Sequence, residues 1–227
     1  MISRADEISS NLDSVRSRIV QAAKRSGRNS EKITLIAVTK TYPATDAEIL
    51  GELGVRDFAE NRDREGAEKS AIVPGRWHFQ GQIQSNKISS IALWADVVHS
   101  LDDPRHLRLL AAAVPESKTL SVFIQVCLDP QPGRGGILPQ NLSPLAELAL
   151  EQSSLRLEGL MAVAPLGENP ERAFSRLARI HSDFRKQFPS AASLSAGMSG
   201  DFETAIEHGA THLRVGSSIL GSRTDLG

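Results

Sequence analysis

Two kinds of hydrophobic pattern alternate along the chain. Near the start, Ile8, Leu12, Val15 and Ile19 recur at helical spacing, with Arg, Asp and Ser between them. That period puts the apolar side chains on one face of a helix over about residues 4–26, with Gly27 as its stop. The run Ile33-Thr34-Leu35-Ile36-Ala37-Val38 is then almost continuously apolar over the length of a strand. Such continuity marks a parallel strand covered on both faces. Strand-like runs recur at Arg56–Glu60, Trp77–Gly81, Asp96–Ser100, Ser121–Leu128, Arg156–Val163, Ser193–Ala196 and His212–Val215. Helix-compatible stretches separate them, near 45–53, 61–70, 84–94, 103–113, 141–152, 170–187 and 201–208.

Strict alternation means parallel strands joined by crossover helices. Eight such units predict a single (β/α)8 TIM-type barrel with an extra N-terminal helix, one domain over residues 1–227. A doubly wound open sheet is the competing architecture, and it places phosphate-binding glycines directly after its first strand. Here that strand runs into Thr39-Lys40-Thr41-Tyr42-Pro43, which has no glycine. The loopiest stretch, Asp129-Pro130-Gln131-Pro132-Gly133-Arg134-Gly135-Gly136, follows a strand, so a barrel places it on the functional face.

Composition narrows the function classes. The 227 residues carry 26 basic and 27 acidic side chains, a formal charge of -1. That balance offers no broad basic field for nucleic acid and no polybasic segment for a membrane. The single cysteine, Cys127, cannot form an intramolecular disulfide, and its apolar neighbours mark it as a buried strand thiol. No apolar run approaches transmembrane length. The N-terminus has Asp6 and Glu7 where a signal peptide needs an apolar stretch. A cytoplasmic location is the expectation.

Lys40 is the first candidate for chemistry. It ends an apolar strand, and barrel sites gather at strand C-termini. A partly desolvated amine there favours its neutral form and can attack a carbonyl. The alternative is a lysine that reaches solvent as the strand ends. Ser195-Ala196-Gly197-Met198-Ser199-Gly200-Asp201 follows the seventh strand and opens a helix, where backbone N–H groups and the Ser199 hydroxyl can meet an anion. Leu213-Arg214-Val215-Gly216-Ser217-Ser218 runs the eighth strand into a Gly-Ser turn. Barrels frequently bind phosphate in these two loops. Arg214, inside an apolar strand, needs either a carboxylate on a neighbouring strand or a ligand atom. Asn61 reads equally as a helix N-cap or a ligand contact. His78 reads as a packed strand histidine, and Gly209 separates His208 from His212, so they make no convincing metal pair. No P-loop, GxGxxG or serine-elbow motif is present.

Several runs together resemble one known family. They are Ala37-Val38-Thr39-Lys40-Thr41, Glu60-Asn61, Trp77-His78-Phe79-Gln80-Gly81-Gln82-Ile83-Gln84-Ser85-Asn86-Lys87, Gly159-Leu160-Met161-Ala162-Val163, Leu194 through Asp201, and Arg214 through Gly221. In order, and over nearly the whole chain after the first helix, they resemble the pyridoxal-phosphate homeostasis protein family (YggS/PROSC type). That family is itself similar to the barrel domain of alanine racemases, a fold-type III pyridoxal 5′-phosphate (PLP) fold. The resemblance implies PLP held on Lys40 as a Schiff base. It implies Ser199, Gly216 and Ser217 on the phosphate, Arg214 facing the pyridine nitrogen, and Asn61 and Met198 lining the pocket. Gln82, Ala196, Arg62 and Arg134 depart from the family pattern, away from the lysine and the phosphate loops.

The arginine bears on catalysis. Many PLP enzymes that form carbanions protonate the ring nitrogen through a carboxylate. An arginine is a permanent donor and leaves that nitrogen unprotonated, a weaker electron sink. Alanine racemase tolerates such an arginine but adds a second domain bearing a tyrosine, for which the expectation is that this chain leaves no room after its eighth strand. Its only tyrosine, Tyr42, reads as a loop aromatic at the barrel rim. The expectation is a non-catalytic, monomeric PLP carrier in vitamin B6 homeostasis, with amino acids and PLP-requiring apo-enzymes as partners. A small PLP-dependent amino-acid racemase and a cofactor-free Schiff-base aldolase are the alternatives.

Overall fold

A computed structural model describes residues 2–221 apart from Pro130, Pro132 and Gly133. Those three positions of the Pro/Gly-rich loop, together with Met1 and residues 222–227, lie outside the described residues. The first helix, α1 (Arg4–Arg25), opens with a capping box in which Ser3 and Asp6 satisfy each other's backbone N–H groups. It buries Ile8, Leu12, Val15, Ile19, Ala22 and Ala23 along one face, as the spacing predicts. Gly27 follows at φ +67°, a conformation open to glycine without strain.

Strands and helices then alternate. They are β1 (Thr34–Val38), α2 (Ala44–Glu52), β2 (Asp57–Glu60), α3 (Asp63–Ser70), β3 (Arg76–Phe79) and α4 (Ile88–Trp94). Next come β4 (Val97–Leu101), α5 (Pro104–Ala113), β5 (Leu120–Gln125), α6 (Leu142–Leu150), β6 (Leu155–Met161) and α7 (Pro170–Gln187). The chain closes with β7 (Ser193–Ser195), α8 (Phe202–Glu207), β8 (His212–Val215) and α9 (Ser217–Leu220). The strands form a closed barrel in chain order, with β8 returning to β1 in parallel register, Ile36 opposite Arg214. This is the expected TIM-type barrel. Gly159 on β6 makes the β6–β7 pairing possible, because a Cβ there would collide with the Ser193 carbonyl.

The apolar interior is divided. The main core lies between strands and helices and includes Phe58, Trp77, Phe174 and Phe202. Two small clusters stand apart from it, Ile36–Val38–Ala59 and Val97–Phe123–Met161, on the alternate strand positions that face the lumen. Polar Asp57, His78, His99, Ser195 and Arg214 bridge the lumen between them. The helix α1 packs across α8, α9 and α2. Arg4 ties it down, reaching Asp46 at 2.7 Å and the Leu220 carbonyl at 2.9 Å.

Three local readings are corrected. The strand expected over Ser121–Leu128 leaves the ladder at Gln125. Val126 makes an isolated parallel bridge to Ile137, which follows Gly136 at φ +111°, so buried Cys127 lies just past β5 rather than in it. Asn61 is not a cap, since α3 begins at Asp63 after Arg62. The Gly-Ser turn after β8 is a one-turn helix, α9, entered through Gly216.

Candidate functional site

The C-terminal ends of the strands surround a cavity of about 770 Å³. Lys40, Asn61, Met198, Ser199, Arg214, Gly216 and Ser217 all line it, although they come from four separate stretches of chain. Val38, Tyr42, Arg62, Glu65 and Gln80 complete much of the wall.

Lys40 is the second residue past β1. Its side chain is exposed toward the cavity, so the partial desolvation expected from its strand context is not found. The turn after it is strained. Thr41 sits at φ +71°, costly for a β-branched residue, and its N–H donates to Glu65 Oε2 at 2.9 Å. Beneath the turn, Lys69 Nζ donates to the Thr39 carbonyl at 2.8 Å and to Glu60 Oε1 at 2.6 Å. Thr39 Oγ1 donates to the same carboxylate oxygen at 2.6 Å. Burial pushes the Glu60 carboxyl above its ordinary pKa, while Lys69 and Thr39 pull it back.

The loops after β7 and β8 meet at Ser199. The N–H groups of Gly216 and Ser218 both donate to Ser199 Oγ, at 3.3 and 3.2 Å. Ser218 Oγ donates to the Ser199 carbonyl at 3.3 Å. Gly216 lies against β1, where a Cβ would press on the Val38 carbonyl at 3.0 Å. The helices that follow these loops span only six and four residues, so their dipoles are small. Backbone amides and hydroxyls, not a long helix dipole, are the donors these two loops bring together. Asp201 sets the first loop: its Oδ1 accepts from the Met198 N–H at 2.6 Å, while Met198's side chain stays partly exposed at the rim.

Arg214 does not take the carboxylate partner that was the protein-side expectation for it. It donates to Ser195 Oγ at 2.7 Å and to the Ala162 carbonyl at 3.0 Å. Among the described residues it makes no ion pair with a carboxylate. Burial pushes its pKa down to about 10, with Asp201 opposing through space, so it remains charged at neutral pH. Asn61 Oδ1 accepts from Gln80 Nε2 at 3.1 Å. Gly81 allows this approach, because a Cβ there would collide with the Asn61 carbonyl. Tyr42 is buried against the rim, and its hydroxyl donates to the Gly221 carbonyl at 2.6 Å.

His78 is a packed strand histidine with both ring nitrogens engaged. His208 pairs instead with Glu171 at 2.8 Å and His212 with Thr211. Among the described residues no group of three or more His, Cys, Asp or Glu could hold a metal. Sequence reasoning missed Gln80 and His99. Gln80 sits in the quoted Trp77–Lys87 run but has no local signal of its own. His99 shares strand parity with Val97, and that alternation was the available clue to its lumen position.

Fold and cavity together define a parallel barrel protein with a lysine amine and two converging loops of backbone amides and hydroxyls at the C-terminal mouth. Residues 10–224 match the family model described as alanine racemase, N-terminal domain. The chain is 39% identical to the pyridoxal phosphate homeostasis protein of Mycobacterium tuberculosis, over 97% of this chain and 94% of that protein. It is 36% identical to the protein of the same name from Escherichia coli, over 96% and 97%. The chain belongs to the alanine racemase N-terminal domain family and, within it, to the pyridoxal phosphate homeostasis proteins. The solved structure of PipY from Synechococcus elongatus with PLP bound matches it with a TM-score of 0.81 and 30% identity, over 94% of this chain and all of that one. Alanine racemase from Corynebacterium glutamicum shares the fold, with a TM-score of 0.72 at 16% identity over 96% of this chain and 61% of that one.

Proposed function

We propose that this chain is a cytoplasmic PLP-binding protein of PLP homeostasis, one domain over residues 1–227, which holds the cofactor through Lys40 and releases it without catalysing a reaction of its own. The observation that carries the reading is the convergence of all seven candidate residues on one cavity. The residues fit the group. The cavity volume suits a small cofactor. The Ser199 hydroxyl already draws two backbone N–H groups to one point, which a phosphate oxygen can share. Buried Arg214 offers a fixed positive donor to a ring nitrogen.

When bound, PLP supplies an aldehyde that condenses with a primary amine. Lys40 provides that amine from the β1 turn, and an amino acid's amine can exchange with it. Ser199, Gly216 and Ser217 hold the phosphate, while Asn61 and Met198 border the ring. Arg214 donates and cannot hand over its proton, so it leaves the ring nitrogen unprotonated. Tyr42, with its hydroxyl engaged by Gly221, is committed to the rim rather than poised as a base. The Tyr42 contact and the names of the relatives favour a carrier over the racemase reading. The partners in this reading are amino acids and PLP-requiring apo-enzymes, met by a monomer.

The test is an absorption spectrum of the purified protein with and without added PLP, beside Lys40→Ala. A visible band that borohydride fixes to Lys40, absent in the variant, supports the reading. No band with excess PLP refutes it. Sustained racemisation of an amino acid at ordinary enzymatic rates would refute the carrier role.

A further inference from the structure

Arg214 reaches the cavity at one end of the barrel, but what anchors it runs to the other end. Its guanidinium donates to Ser195 Oγ on β7 at 2.7 Å. Ser195 Oγ lies 3.0 Å from His99 Nδ1 on β4. His99 Nε2 lies 2.8 Å from His78 Nδ1 on β3. His78 Nε2 lies 3.0 Å from Asp57 Oδ1, on the first residue of β2. Ser195, His99 and His78 are fully buried, whereas the Asp57 side chain is 20% exposed at the N-terminal rim. An unbroken line of hydrogen-bonding groups thus crosses the lumen from the cavity to the opposite face.

Donor and acceptor chemistry gives this line a direction. Arginine can only donate, so Ser195 Oγ must accept. The one hydroxyl hydrogen of Ser195 is then free to donate to His99 Nδ1, which must be bare. The His99 proton therefore sits on Nε2 and donates to His78 Nδ1. That nitrogen is bare in turn, so the His78 proton sits on Nε2 and donates to the Asp57 carboxylate. Every donor finds an acceptor, and every bond dipole points from the cation to the anion, so the bonds reinforce one another. The reverse direction makes Ser195 accept two hydrogens and takes His99 away as the acceptor for its own.

We propose that Asp57, His78, His99 and Ser195 form a one-way hydrogen-bond relay that positions Arg214 at the cavity, with each histidine carrying its single proton on Nε2. The four are positioning residues, since they act only through Arg214. Their surroundings keep the rings neutral. Burial holds both histidines below the ordinary range, and His78, Arg214, His212 and Arg76 add repulsion against a second proton on His99. Asp57 and Asp96 oppose this at His78. Phe123 stacks on His99 with ring centroids 4.6 Å apart and fixes its plane. Asp201 acts on Arg214 through space, but its carboxylate is engaged by the Met198 N–H. The relay therefore places a residue at the far rim in control of the group that faces the ligand.

The test is nitrogen NMR of the histidine rings in the full chain at neutral pH, without added ligand. The relay predicts that His78 and His99 are both neutral Nε2–H tautomers, with coupling across the His99–His78 hydrogen bond. A proton on Nδ1 of either ring overturns it. Asp57→Asn removes the charge but keeps an acceptor oxygen for the His78 Nε2–H, so both Nε2–H tautomers persist, because Arg214 sets the direction from the other end. A His78 proton on Nδ1 in that variant overturns the relay's direction. A second arm rests on the PLP reading above. Asp57→Asn and His99→Gln should each weaken PLP binding by about tenfold, the scale of one lost hydrogen bond to a charged group. Titration of the visible band measures the loss, and circular dichroism confirms the barrel in each variant. Unchanged affinity in both folded variants overturns the positioning role. A wild-type chain with relay tautomers but no PLP band upholds the relay and overturns only the ligand reading.

Discussion

Replacing Lys69 with methionine tests how the Lys40 turn is held. Lys69 and Glu60 form a buried ion pair at 2.6 Å, with side-chain exposures of 7% and 0%. Glu60 Oε2 has no hydrogen-bond partner among the described residues, so Oε1 takes the donors from both Lys69 and Thr39. In Lys69→Met the folded chain must bury an unpaired carboxylate or protonate it. Removing one partner of a buried pair costs about 3–5 kcal/mol if the charge stays. Protonation is the cheaper route. Holding a carboxyl of ordinary pKa 4.5 neutral at pH 7 costs about 3 kcal/mol, at 1.36 kcal/mol per unit. Burial already raises the Glu60 carboxyl in the wild-type chain, so the expected loss at pH 7 is at most about 3 kcal/mol, a fall of up to roughly 6–12 °C in thermal midpoint for a chain of this size.

The sign of the pH dependence follows from proton counting. Above its ordinary pKa, Glu60 is ionised in the unfolded chain and protonated in the folded variant. The folded state binds one more proton, so the variant loses stability as pH rises, by about 1.4 kcal/mol per unit. At pH 5 this contribution shrinks to less than about 1 kcal/mol. Thermal unfolding followed by circular dichroism between pH 5 and 8 measures it. Adding Glu60→Gln to the variant should remove the slope. A loss below about 1 kcal/mol at pH 7, or a difference from wild type that stays flat with pH, would refute the reasoning. The Thr39 carbonyl also loses its lysine donor, so PLP uptake by Lys40 should slow in the same variant.

Other perturbations separate the two ends of the site. Ser199→Ala removes the oxygen that gathers the Gly216 and Ser218 amides, so PLP affinity falls about tenfold in a band titration while the thermal midpoint barely moves. Gly81→Ala drives a Cβ into the Asn61 carbonyl, costing about 1–3 kcal/mol by denaturant unfolding and displacing Asn61 from the cavity wall. Burial holds His212 down to about 4, below its ordinary 6.5. The unfolded chain then binds the extra proton between those values, and stability declines as pH falls from 6.5 toward 4, by up to about 3 kcal/mol. His212→Gln should remove that share of the decline in an acid titration of the thermal midpoint, with buried His78, His99 and His181 supplying what remains.

Much of the architecture was readable from local pattern alone. Continuous apolar runs such as Ile33–Val38 announce strands covered on both faces, and Ile8, Leu12, Val15 and Ile19 announce a helix with one buried face. Both periods are properties of a few consecutive residues, so no tertiary information is needed to see them. Lys40 and the two glycine loops were legible for a related reason, since alternation places strand ends on one face and those residues sit at strand ends.

The tertiary structure decided what depends on residues distant in sequence. Cys127 falls outside β5 because Ile137, beyond a glycine turn, captures the backbone that the strand pattern assigned to the ladder. Asn61 contacts the cavity instead of capping α3 because Gly81 lets β3 approach it. Arg214 keeps its charge in the lumen with no carboxylate in ion-pair contact among the described residues, since closure of the barrel brings Ser195 and the Ala162 carbonyl to it. Closure also joins Asp57, His78, His99 and Ser195, four residues on four strands. Each of their side chains points inward by local alternation, but which inward neighbours meet is set by the stagger of the whole barrel, and that is a property of no single segment.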